Sequence, residues 1–111
     1  MTKFDFNAIS QPVLEITMPD KEHSRLRLTT PSTSLVERFG AASEELEEIF
    51  SKKDSSTIQQ VYRLIAEILS CNLEFRKFTA EELKEYLSYD HIVAFVLAYM
   101  QFLADTKSAK N

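Results

Sequence analysis

Cys71 carries the one thiol, and His23 and His91 the two imidazoles, the groups best suited to act as a nucleophile, a proton carrier near neutral pH or a zinc ligand. Their spacing does not use that chemistry. A zinc site needs CxxC or HxxxH pairs that present two ligands together, and the chain has neither. Cys71, alone in "ILSCNL", reads as a small buried hydrophobe. His23 falls in a turn segment and His91 in the first turn of a helix, so a Cys/His catalytic pair has no local support. Glu44, Glu45, Glu47 and Glu48 crowd carboxylates together, but acids on the back of a helix normally form a solvated face. With Gly40 as the one glycine, no glycine-rich phosphate loop can form. No residue is assigned to catalysis, metal or cofactor, and an enzyme is the last of the readings.

The surface chemistry excludes further classes. Seventeen acidic residues against 13 basic give a formal charge of −4, and Lys52-Lys53 and Arg76-Lys77 are isolated doublets. Phosphate binding needs clustered Lys and Arg, so no nucleic-acid partner is expected. No membrane is expected either: the start, "MTKFDFNAIS", does not resemble a signal peptide, and a span needs about 20 predominantly apolar residues. A single cysteine gives no disulfide framework, which suits a reducing cytoplasm.

What must position the remaining candidates is a mostly helical α+β domain spanning 1–111. Residues 1–31 form a β-hairpin region, 32–106 a bundle of about four helices, and 107–111 a frayed tail. "PVLEITM" alternates, with Leu14, Ile16 and Met18 on one face; "RLRLTT" alternates too, with Leu26 and Leu28 opposite Arg25 and Arg27. "PDKEHS" between them is turn chemistry. Glu15 can pair across the strands with Arg25 or Arg27, and "KFDFN" supplies either a third strand or a lead. A lone hairpin is marginal in water, so its apolar face must be covered.

From Ser32 the period becomes helical. The first helix is expected over 34–51, with a Ser34/Glu37 capping box and Gly40 as a site of close packing or a break. The second is expected over 57–72, capped by Ser56 and Gln59. A third, over 80–86, has the strongest start signal: Thr79 as N-cap, Glu82 at N3, Phe78 and Leu83 at the staple positions. The last helix, expected over 89–106 with a cap at Ser88 or Asp90, carries its main stripe on Ile92, Phe95, Val96, Tyr99, Met100 and Leu103. Val93 and Leu97 widen that stripe on one side and Phe102 on the other. The apolar sector covers more than half the circumference, against the roughly 100° that one-sided packing needs. That width makes the last helix the central one. The rings of Phe95, Tyr99 and Phe102 are read as core rather than as a ligand pocket. Still, the apolar total, with Phe4 and Phe6 added, exceeds what so small a domain can cover, so part of it meets another chain.

The order of these elements resembles a known family. A hairpin leading through "TTPS" into a helix, then "IAEILSCNLEFRKFTAEEL", then an apolar helix ending "AFVLAYMQFL", is similar to the small tail assembly chaperones of long-tailed bacteriophages and prophages. The similarity runs from about Pro12 to Leu103 and rests on the break and cap around Asn72 to Glu82 and on Tyr99 and Phe102. It implies a non-enzymatic chaperone in the host bacterial cytoplasm, absent from the finished tail. Such a chaperone binds the tape measure protein, a long helical client, and keeps it soluble during assembly, repeated along it as a homo-oligomer. The resemblance transfers no site residue. The helical wheel and the chain's start nominate Phe4, Phe6, Val93, Leu97 and Phe102 as the protein-binding surface. The competing readings are a small helical adaptor for one folded partner and a minor virion subunit.

Overall fold

The computed structural model describes residues 2–6 and 12–108, the last two by their backbone alone. Two strands, β1 (Leu14–Thr17) and β2 (Arg25–Leu28), precede five helices: α1 (Thr33–Glu44), α2 (Leu46–Lys52), α3 (Ser55–Leu69), α4 (Ala80–Tyr86) and α5 (Tyr89–Ser108). The fold is α+β and mostly α, as expected. Alternation makes the hairpin: Leu14 pairs with Leu28 and Ile16 with Leu26, while Glu15 faces Arg27. Met18, Leu26 and Leu28 are buried, and Leu14 and Ile16 pack partly against the same core. Asp20 closes the turn by accepting from the Ser24 amide at 2.9 Å and the Ser24 hydroxyl at 2.6 Å. Those bonds hold its carboxyl below the usual carboxylate range.

The third neighbour of the hairpin is not "KFDFN". Residues 3–6 form no strand, and Asn7 lies outside the described residues. Instead the segment after α3 bridges to β2 at Asn72, with the Thr29 amide donating to the Cys71 carbonyl and the Leu73 amide to the Arg27 carbonyl, each at 3.0 Å. Arg27 likewise departs from expectation. Its guanidinium binds Glu74 at 2.7 Å, because that carboxylate also accepts the Arg27 amide at 2.8 Å.

The helix starts show which polar residue wins each cap. Ser32, not Ser34, caps α1, and Asp54, not Ser56, caps α3 by accepting from the Ser56 amide and the Thr57 hydroxyl. The expected 34–51 helix is two helices, broken at Glu45 (φ −112°, ψ 6°), where the amide turns back to Ala42 at 3.1 Å. The break turns Leu46 into the core and leaves Glu44, Glu45, Glu47 and Glu48 exposed. Gly40 is not the break; it sits within α1 with nothing within 4 Å of where a Cβ would stand. Helix α4 is built as read: Thr79 accepts from the Glu82 amide at 3.1 Å, and Phe78 and Leu83 are both buried. Arg76 ties the hairpin to α4 through Ser24 at 2.7 Å and Glu82 at 2.8 Å.

The central helix is α3 rather than α5. Val61, Tyr62, Leu64, Ile65, Ala66, Ile68 and Leu69 are all buried. At about 100° per residue they cover more than half of its circumference. On α5 the buried residues are Ile92, Val96, Tyr99 and Phe102, one face only. The expectation of a last helix wrapped on several flanks is therefore corrected: the wheel measured how much apolar surface α5 carries, and the fold has elements to cover only one side. No single helix is long and apolar enough to cross a membrane among the described residues, and α4 and α5 meet at 112°.

Candidate protein-binding surface

The uncovered side of α5 is an ordered apolar strip. At about 100° per residue, Tyr89, Val93, Leu97, Met100 and Ala104 fall on one line beside the buried face. Leu97 is 64 % exposed and Met100 47 %, while Val93 is half-buried at the margin. The strip is fixed at its start. Tyr89 packs its ring on Phe50 of α2 at 4.9 Å, and Ser88 accepts from the His91 amide while His91 Nδ1 accepts from the Ser88 amide at 3.0 Å. From Val93 to Ala104 it runs about 16 Å, at about 1.5 Å per residue. On the Leu97 side of the strip lie Asp90, two turns before Leu97, and Gln101 and Asp105 after it, the last two joined by a 2.8 Å hydrogen bond.

The five nominated residues divide. Val93 and Leu97 lie in the strip. Phe102 does not; it is 9 % exposed and packs in the core at a tilt against Tyr99, ring centroids 5.9 Å apart, because its side of the wheel faces the bundle. Phe4 and Phe6 are exposed and meet each other edge to face at 4.7 Å. Residue spacing places Met100 in the main stripe and Tyr89 at the helix start; in the structure both line the surface, Met100 47 % and Tyr89 36 % exposed. Nothing in residue spacing distinguishes them, since which edge of a wide stripe stays wet depends on the neighbours.

Phe75 carries no sequence signal either. It is 89 % exposed at the tip of the loop between α3 and α4, with φ +59°. A bulky residue in that left-handed region costs about 1–2 kcal/mol. The loop around it is held firmly by Asn72, whose amide donates to the carbonyls of Leu69 (2.7 Å) and Arg76 (2.8 Å) and accepts from the Arg76 amide (3.0 Å). Asn72→Ala strands these backbone groups and is expected to lower the unfolding free energy by about 2–3 kcal/mol, read by urea denaturation. Phe75→Gly is expected to raise it by up to about 1 kcal/mol, the relieved strain being partly offset by glycine's larger unfolded-state entropy. A thermal scan reads this as an increase of about 4 °C.

The residues with chemistry are placed in structural roles. His91 belongs to the α5 cap, His23 lies in the hairpin turn at φ 50°, and half-buried Cys71 donates to the Glu67 carbonyl at 3.4 Å. Among the described residues no group of three or more His, Cys, Asp or Glu could hold a metal ion. One buried polar atom stands out. The Tyr99 hydroxyl has no hydrogen-bond partner among the described residues, and burial pushes its phenol well above the usual range.

The chain matches no family model, no curated protein and no solved structure.

Proposed function

We propose that the chain is a non-enzymatic chaperone that binds a long, amphipathic helical client and keeps it soluble. In the setting implied by the resemblance to phage tail assembly chaperones, the client is the tape measure protein and the place is the host bacterial cytoplasm. The observation that carries this reading is the α5 strip: Leu97 and Met100 stand in water on a well-capped helix, and neither is needed to complete the core. A client helix with apolar side chains at i, i+3, i+4 and i+7 can lie along such a line. The exposed glutamates of α1 and α2 would keep the outer face of the complex hydrated.

Magnitudes favour many weak contacts over one tight one. Burying Leu97 and Met100 contributes about 1.5–3 kcal/mol each before ordering costs. Association itself costs several kcal/mol, so a single such contact is weaker than the millimolar affinity that about 4 kcal/mol represents. Repetition along one client raises the effective strength without any new kind of contact. The test is co-expression with a tape measure protein, followed by the mass of the purified complex. A rise in soluble client with many copies per client is expected. A one-to-one complex would favour the adaptor reading, and an insoluble client would remove the chaperone reading.

A further inference from the structure

Phe75 works against the fold that carries it. Its ring stands almost wholly in water at the tip of the α3–α4 loop, and its backbone is left-handed at φ +59°, where glycine would sit without strain. A residue keeps such a conformation only where its surroundings dictate it, and strain of this kind gathers at binding sites. Here the surroundings do dictate it. Asn72 holds the backbone of Leu69 and Arg76 on either side, and the Leu73 amide is tied to the Arg27 carbonyl of β2. Glu74 accepts from both the amide and the guanidinium of Arg27. The backbone under the ring is therefore fixed in advance, which lowers the ordering cost of any contact the ring makes. Leu73, the loop's other exposed large apolar side chain, widens the patch.

The chemistry around the tip narrows the partner. Glu74 is paired with Arg27, and Arg76 with Glu82 and Asp20. Beside Glu74 a hollow of about 460 Å³ is lined by Glu15, Glu74, Arg25 and Arg27, two charges of each sign. Lys77 is the one cation of the loop without an ion pair among the described residues. An anionic membrane surface is held by clusters of about 4–8 basic residues, which this tip lacks. A protruding ring is convex, so covering it takes a concavity, and anchors of this kind fill apolar pockets in folded partners. A helix or an extended segment is itself convex and leaves most of the ring wet. We propose that Phe75 anchors a second docking surface, and that its partner is a folded protein with an apolar pocket about the size of one ring. The proposal goes beyond the client reading and does not rest on it, because the loop and the α5 strip are different elements.

The experiment places a photo-crosslinking residue at position 75 of the full chain, in the cells that naturally make it, and identifies the protein joined there. That protein is then purified and titrated against the full chain by calorimetry. Phe75→Gly, expected to be the more stable variant, should bind it at least about tenfold more weakly, so that stability and binding move in opposite directions. Leu97→Glu with Met100→Glu should bind it like wild type. Overlapping peptides of the partner should not compete, because the pocket exists only in its fold. Binding that survives Phe75→Gly overturns the proposal. So does the absence of any protein joined at position 75, or a peptide that competes as well as the intact partner. Flotation of the chain with vesicles of phosphatidylethanolamine and phosphatidylglycerol, lost in Phe75→Gly, would overturn it by showing a membrane anchor instead. Loss of the binding in the strip variant would also overturn it, since the loop would then share the client's seat.

Discussion

Leu97→Glu combined with Met100→Glu is expected to abolish client capture while shifting the thermal midpoint by no more than about 3 °C. Both side chains are largely in water, 64 % and 47 % exposed, so the fold loses little when they change. Surface substitutions of this kind usually stay within about 0.5 kcal/mol. The client contact loses much more. Two carboxylates placed in an apolar seam must either be buried without partners or hold the seam open, and unpaired buried charge is among the costliest outcomes in an interface. Because each copy contributes little affinity, the loss recurs at every contact along the client. Co-expression yield reads the first effect, and a thermal scan by circular dichroism reads the second. A midpoint that collapses would show that the strip belongs to the core.

At Tyr99 two substitutions are expected to move stability in opposite directions. Tyr99→Ala removes a fully buried ring that meets Phe39 edge to face at 5.2 Å and stacks on Phe95 at 5.5 Å. Emptying such a site costs about 3–5 kcal/mol, enough to unfold much of a marginal domain. Tyr99→Phe keeps the ring and removes only a hydroxyl that has no partner among the described residues, so a gain of about 1 kcal/mol is expected. The pH dependence supplies an independent readout. The phenol is raised in the fold, and the unfolded chain ionises near pH 10. Above that pH the unfolded state loses protons that the folded state retains, so stability falls as pH rises. Tyr62 and Tyr86 are raised as well and share this alkaline loss. Tyr99→Phe should therefore remove part of it and not all. Urea denaturation at pH 8 and pH 11 measures both effects.

Elements whose signals are local were legible in the sequence. The alternation of Leu14, Ile16, Leu26 and Leu28 specifies the hairpin and its inner face, and Thr79, Phe78, Glu82 and Leu83 specify the start of α4. Each depends on residues within a few positions of one another. Caps were less legible where two acceptors compete. Ser32 prevails over Ser34, and Asp54 over Ser56, because the helix extends by a turn or less once an earlier side chain can receive its first amides.

Choices made by the whole fold were not legible. A wheel ranks α5 as the most apolar helix, yet α3 takes the centre because the hairpin, α1, α2 and α4 gather around it. Arg27 leaves its cross-strand neighbour Glu15 for Glu74, a residue far along the chain that offers two acceptors at once. The candidate surface was half legible for the same reason. Val93 and Leu97 lie at the wet edge of a wide stripe and Phe102 at the dry edge, and spacing alone cannot tell one edge from the other.

The most direct measurement places a photo-crosslinking residue at position 97 and, separately, at position 48 on the acidic back of α2, with a tape measure protein co-expressed. The strip is the client's seat if position 97 joins covalently to the client and position 48 does not. A soluble client that crosslinks at 48 as readily as at 97, or that never reaches 97, would show that the uncovered face of α5 is not what this chain uses to hold it.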